Sequence, residues 1–303
     1  MCIRDSSTWD IKQTKPQKNK FKNSEMSSIF DALVLGVRDY AQKCGFKTAL
    51  IGLSGGIDSA LVSAIATAAL GNNNIYCVSM PSKWSSTHSK SDAKDLARRL
   101  KINFNSIPIE NLMTSFEESF IKTIDFEMAE ITNQNIQSRI RGTLLMALAN
   151  QEKHLLLSTG NKSELAVGYC TLYGDMNGGL SVIGDLYKTN VFKLCNWLDS
   201  EESINHRKSY MLDTNVNIIG ENIRTKAPSA ELGPDQLDTD SLPPYSILDN
   251  ILKGIIEEKK DLILKIISLI KKAEFKRKQA PPILKLSSQS LGSDWRAPIA
   301  ISY

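Results

Sequence analysis

The stretch ALIGLSGGIDSALVSAIA, residues 49–66, is an apolar run broken by Ser54-Gly55-Gly56-Ile57-Asp58-Ser59 and resumed as small apolar residues. TALIGL (48–53) suits a buried parallel strand, and SALVSAIATAAL (59–70), stopped by Gly71, suits a helix. Between a strand and a helix, a glycine pair lets the backbone close around an anion. The first helical amides have no partner, and the helix dipole adds positive charge there. Phosphate is the natural guest. The loop lacks the lysine of G-x-x-x-x-G-K-[ST] and the spacing of G-x-G-x-x-G, so it belongs to neither common nucleotide motif. Asp58 is an acid where phosphate should repel it, which makes sense when Mg²⁺ bridges the two. Read alone, the six residues also suit a plain helix start, with Ser54 capping, the glycines turning and Asp58 favouring the dipole.

Outward from this loop the pattern alternates. IYCVSM (75–80) and FNSIPI (104–109) read as further strands, separated by the helical SKSDAKDLARRL (89–100). NQNIQSRIRGTLLMALANQ (133–151) is helical and HLLLST (154–159) is another buried strand, while IFDALVLGVRDYAQKCG (29–45) is a helix ending on Gly45. Strands alternating with helices predict an α/β fold, a Rossmann-like parallel sheet with helices on both faces, binding ligands at the carboxyl ends of its strands. TKAPSAELGPDQLDTDSLPP (225–244) reads as a long irregular segment, of the kind that forms lids. A C-terminal helical extension is expected from Tyr245 to about Lys278, followed by a strand-poor tail.

The chain has 303 residues, 42% hydrophobic and 23% charged, enough for a sizeable core. A formal charge of +4 gives no general argument for nucleic acid. Lysines crowd residues 12–22 and 271–278, which reads as a solvated tail and a solvated helix end. Residues 1–25 are expected to be a tail or linker, whose opening MCIRDS resembles a translated cloning adapter, and residues 26–303 one domain. The cysteines Cys2, Cys44, Cys77, Cys170 and Cys195 have no paired spacing, so neither a disulfide framework nor a zinc site is expected, and a reducing cytoplasm fits. No apolar stretch approaches membrane-spanning length.

SGGIDS after a strand resembles the signature loop of the PP-loop ATP pyrophosphatases, which cleave ATP between its α and β phosphates and adenylate a substrate. That loop occurs in several families. NIQSRIRGTLLMALAN, STGNKSELAVGYCTLYGDMNGG, KAPSAELGPDQLDTDSLPPY and EFKRKQAPP follow in the order and approximate spacing of the NAD synthetase family, in the form usually fused to a glutaminase. The likeness runs from about Ile29 onward and implies the adenine nucleotide alpha hydrolase-like fold. It implies ATP-dependent amidation of deamido-NAD to NAD through an adenylate, releasing AMP and pyrophosphate, with ammonia as nitrogen donor. The competing readings are another PP-loop adenylating enzyme, such as a tRNA-modifying one, and an inactive ATP-binding fragment.

The resemblance also implies roles for particular residues. Gly52, Leu53, Ser54, Gly55, Gly56, Ile57, Asp58 and Ser59 would hold the ATP phosphates, with Met80 near the adenine and Thr159 and Ser229 also touching ATP. Asp58 and Glu164 would contact Mg²⁺, and Lys188 an ATP phosphate; these three are the expected catalytic residues. Lys226, just upstream of Ser229, would also reach phosphate. Asn135 and Arg139, four apart on one helix face, would grip deamido-NAD together with Glu164 and Lys276, whereas Arg141 would face elsewhere and pair with a surface acid. Short ammonia-dependent relatives carry lysine and histidine where this chain has Leu172 and Phe275, which fits the glutaminase-fused branch. The nitrilase-like glutaminase domain has no counterpart among these residues, which suggests a C-terminal fragment of a longer protein. A homodimer is expected, and no nucleic acid or membrane partner.

Overall fold

The computed structural model describes residues 24–124, 128–234, 236–257, 264–292 and 294–295. The expected tail, residues 1–23, lies outside them. The chain enters through α1 (Glu25–Lys43), whose first turn is capped by Ser24 accepting from the Ser27 amide. Then follow β1 (Ala49–Gly52), α2 (Ile57–Leu70), β2 (Ile75–Ser79), α3 (Thr87–Leu100) and β3 (Asn103–Ser106). Two helices, α4 (Glu110–Ile124) and α5 (Glu130–Glu152), lead to β4 (Leu155–Ser158), α6 (Lys162–Val167) and β5 (Leu180–Ser181). Beyond these lie α7 (Lys188–Leu198), α8 (Ile204–Ser209), α9 (Glu221–Thr225), α10 (Tyr245–Ile256), α11 (Leu264–Lys272) and α12 (Glu274–Arg277).

The sheet is parallel throughout, in the order β3-β2-β1-β4-β5, with Ala49 opposite Ile75 on one side and Leu155 on the other. Successive side chains leave opposite faces, and two cores result. Ala49, Ile51, Ile75, Cys77, Leu155 and Leu157 pack on the face covered by α1, α2 and α7, while Leu50, Val78 and Leu156 pack with Ile140 and Ala149 of α5. This doubly covered sheet is why the strands read as continuous apolar runs. α2 is buried almost all round, which its small residues permit; its Ser63 and Thr67 hydroxyls donate to the Ser59 and Ser63 carbonyls, so these buried hydroxyls are satisfied within the helix.

The expected elements stand, with two corrections. The third strand is 103–106 rather than 104–109. β5 escaped the periodicity because it is two residues long; it is fixed by pairing with β4, and Ile283 of the C-terminal segment bridges Ser181 beyond it. The helical extension expected over 245–278 is present as α10, α11 and α12, and α10, α11 and α6 enclose a third core around Leu248, Leu252, Ile266 and Ile270.

Candidate active site

β1 and β4 are neighbours, yet the chain runs out through β2 and β3 before returning to β4, so the strand order reverses between them. Their carboxyl ends open a crevice, the position where parallel sheets bind ligands. A cavity of about 300 Å³ lies there, lined by residues 52–54, 56–59 and 158–160 and by side chains from α5, α6, α7 and the segment after α9.

Gly55 makes the turn after β1 at φ +83°, and a Cβ on it would lie 2.3 Å from the Ser89 carbonyl oxygen, so the loop requires glycine. Gly55 is the one residue of the 52–59 stretch that does not line the cavity. Ser54 does not cap α2: the N-cap is Gly56, with no side-chain hydrogen bond. Ser54 Oγ instead accepts the Gly56 amide at 3.1 Å and shares a hydrogen bond with Ser59 Oγ at 3.1 Å, folding the loop on itself. The start of α2 therefore lines the cavity with no side-chain cap bond among the described residues.

Asp58, in the first turn of α2, meets two residues from beyond β4. Lys188 Nζ donates to Asp58 Oδ2 at 2.5 Å and to Glu164 Oε1 at 3.2 Å, and Asn161 Nδ2 donates to Asp58 Oδ1 at 3.0 Å. Asn161 and Glu164 form a reciprocal capping box at the start of α6, which fixes the Glu164 backbone. Lys188 is 3% exposed. Burial opposes its charge, but Asp58 and Glu164 outweigh that and hold its pKa above the ordinary value. Burial pushes the Glu164 carboxyl upward; Lys188 draws it back, while Asp58 and Asp238 add to the rise, and the net is upward. Two carboxylates facing one cavity match the hard oxygen donors that Mg²⁺ takes alongside phosphate oxygens and water.

Among its described residues the segment after α9 is irregular apart from a short turn at Asp238–Asp240, as expected, and it lines the cavity. Ser229 lines the cavity, accepting the Glu231 amide at 3.1 Å and donating to the Gln236 carbonyl. Glu231 holds this segment to α3: its Oε1 accepts from Ser86 Oγ at 3.0 Å, Ser89 Oγ at 2.5 Å and Lys226 Nζ at 3.0 Å. Thr159 and Met80 also line the cavity, and Met80 belongs to the core as well.

The remaining expected residues gather elsewhere. Asn135 accepts from Thr171 Oγ1 at 2.9 Å, Arg139 Nε donates to the Leu172 carbonyl at 3.3 Å, and Lys276 Nζ donates to the Gly168 and Cys170 carbonyls at 2.8 and 2.7 Å. None of the three lines the cavity; all brace the 168–177 loop that forms one wall of it. Arg141 reverses its expectation. Arg141 lines the cavity and donates from Nε to the Met80 carbonyl at 3.0 Å, and burial pulls its pKa down to about 10 against the opposing charge of Glu231. Asp238 and Tyr245 join the group as well: the Tyr245 hydroxyl donates to Asp238 Oδ2 at 2.8 Å, and the Tyr245 ring centre lies 5.2 Å from the Lys188 ammonium. No local signal marks these two, whereas Asn161 is legible as the first residue of an N-x-x-E box.

The NAD synthase family profile matches residues 29–280. Glutamine-dependent NAD(+) synthetase from Synechocystis sp. is 49% identical over 291 residues, 92% of this chain and 50% of that protein. A structure of glutamine-dependent NAD+ synthetase from Acinetobacter baumannii in complex with ADP superposes with a TM-score of 0.62 at 37% identity, over 91% of this chain and 50% of that one. NH3-dependent NAD synthetase from Campylobacter jejuni gives a TM-score of 0.61 at 25% identity, over 84% of this chain and 95% of that one. The chain spans about half the length of the curated relatives it matches. With the glycine loop, the Asp58–Lys188–Glu164 group and the strand reversal all at one crevice, and with this match along most of its length, the chain belongs to the NAD synthase family.

Proposed function

We propose that this chain carries the synthetase activity that amidates deamido-NAD to NAD with ATP and ammonia. The observation that carries the reading is the meeting of the start of α2 with Asp58, Lys188 and Glu164 in one cavity at the carboxyl ends of β1 and β4. In the first step the nicotinate carboxylate attacks the α-phosphorus of ATP and pyrophosphate leaves. Ammonia then attacks the carbonyl carbon of the acyl adenylate, loses a proton, and AMP departs.

Each group has a task in that sequence. The amides at the start of α2, with Ser54 and Ser59, hold phosphate oxygens, and the Lys188 ammonium neutralises charge on the leaving pyrophosphate. Asp58 and Glu164 would hold Mg²⁺, which would supply further neutralisation of the phosphates. Arg141, Met80 and Thr159 line the ATP end. Asn135, Arg139 and Lys276 shape the wall beside deamido-NAD by bracing the 168–177 loop. The segment carrying Lys226, Ser229 and Glu231 covers the cavity and keeps water from an adenylate that water would hydrolyse.

Exposed apolar residues on α4 and α5, among them Phe116, Ile121 and Ile131, support self-association as a homodimer. The free thiols of Cys44, Cys77, Cys170 and Cys195 suit a reducing cytoplasm. Nitrogen would reach the site as ammonia from a glutaminase domain of the kind its full-length relatives' names imply. The test is NAD formation from ATP, Mg²⁺ and deamido-NAD, with ammonium or glutamine as nitrogen source. NAD and AMP in equal amounts, dependent on deamido-NAD and supported by ammonium alone, bear the proposal out. AMP released regardless of deamido-NAD, or no NAD from folded dimer, overturns it.

A further inference from the structure

α7 starts at Lys188 with Tyr187 as its N-cap, and no side-chain cap bond is made there. Two amides of its first turn are satisfied from distant elements instead. The Lys188 amide donates to Ser163 Oγ at 2.9 Å, and the Thr189 amide donates to Asp249 Oδ2 at 2.8 Å. Ser163 Oγ in turn donates to Asp249 Oδ1 at 2.5 Å. Asp249 is 1% exposed and belongs to α10, so one buried carboxylate uses one oxygen on α7 and the other on α6.

That placement has two physical consequences. A carboxylate at the positive end of α7 offsets the penalty of starting a helix with a buried lysine, and it supplies the cap that Tyr187 cannot. Ser163 precedes Glu164, and Thr189 follows Lys188; Asp249 therefore joins the two backbones whose side chains meet over Asp58. One turn earlier on α10, the Tyr245 ring faces the Lys188 ammonium itself. α10 thus meets the Lys188 ammonium through Tyr245 and the Lys188 backbone indirectly, through Ser163 and the neighbouring Thr189 amide.

We propose that Asp249 is a positioning residue for Lys188. It fixes the start of α7 directly and through Ser163, and so sets where the ammonium points; this rests on the synthetase reading for the identity of the reaction. The C-terminal helices then have a task at the phosphate end of the site besides packing on α6.

The test is a double-mutant cycle on the folded chain with Asp249→Asn, Lys188→Met and both together. Asparagine keeps the size of the side chain but replaces one acceptor oxygen with a donor, so it cannot accept from both Ser163 and Thr189. Two quantities are read: deamido-NAD-dependent pyrophosphate release and the dissociation constant of a non-hydrolysable ATP analogue. Asp249→Asn should lower kcat for pyrophosphate release by about 10- to 100-fold with little change in KM for deamido-NAD. It should weaken analogue binding in the wild-type background and have almost no further effect once Lys188 is Met. Equal effects of Asp249→Asn in both backgrounds would make Asp249 a merely structural brace and overturn the proposal, as would no effect in the wild-type background. Ser163→Ala, a smaller change in the same chain of hydrogen bonds, runs the same cycle if Asp249→Asn fails to fold. If the wild-type chain releases no pyrophosphate with deamido-NAD, the synthetase reading fails, and the analogue-binding cycle still decides the link between Asp249 and Lys188.

Discussion

Lys188 Nζ lies 2.5 Å from Asp58 Oδ2, joining residues 130 positions apart across the reversal of strand order. Glu164 completes the group at 3.2 Å. Lysine at this point pairs with both carboxyl groups and lines the cavity. Lys188→Ala should therefore reduce NAD synthesis by about 10²- to 10³-fold, the scale of losing one preorganised charge at a reacting phosphate. Steady-state assays at saturating ATP check this, with circular dichroism to confirm folding. Retention of more than about a tenth of the activity would remove Lys188 from the phosphate site.

Gly55→Ala places a methyl group against the Ser89 backbone in a φ +83° turn. The conformation alone costs about 1 to 3 kcal/mol, and the loop must also shift away from α3. Urea unfolding should show that loss, and binding of an ATP analogue should fall with it. Wild-type stability in this variant would show that the turn tolerates a side chain.

Glu231 gives a pH-dependent prediction. Burial pushes its carboxyl up, but the hydrogen bonds from Ser89, Lys226 and Ser86 and the charge of Lys226 outweigh that and leave it below the ordinary 4.5. A depressed acid contributes stability above its unfolded pKa and loses it as pH falls through the folded value. The wild-type chain should therefore hold the 226–234 segment more tightly than Glu231→Gln does near neutral pH. The difference should be steady down to about pH 5 and shrink below the ordinary 4.5. Hydrogen exchange of that segment, followed against pH in both proteins, measures it; a difference that grows on acidification contradicts the assignment.

Away from the cavity, Lys162 and Asp185 form a fully buried pair at 2.9 Å, each 0% exposed at the side chain. Lys162 also donates to Ser287 Oγ and the Gln289 carbonyl at 2.8 Å each, while Asp185 accepts from the Leu286 and Ser287 amides. Lys162→Met would strand the carboxylate and cost about 3 to 5 kcal/mol. Lys162→Met/Asp185→Asn should recover part of that loss, because the uncompensated charge is gone. Denaturant midpoints of the single and double variants compare the two; a double variant less stable than the single one would mean that Asp185 acts independently of Lys162.

What the sequence determined by itself was whatever local order dictates. Continuous apolar runs at 49–52, 75–79 and 155–158 specify strands buried on both faces, and the glycine pair after the first of them specifies a tight turn into a helix. Asn161 and Glu164 announce their helix start by spacing alone. Tertiary structure decided the rest. Arg141 turns inward because the Met80 carbonyl accepts a hydrogen bond from its Nε–H, and helical spacing says nothing of that partner. Ser54 folds a loop rather than capping a helix because Ser59 comes within reach of it. Asp249, Tyr245 and Asp238 join the site only once α10 packs on α6 and α7, and β5 exists because β4 offers it an edge. Periodicity reports which face of an element is buried; which distant polar groups meet there depends on hydrogen-bond partners that only the folded chain supplies.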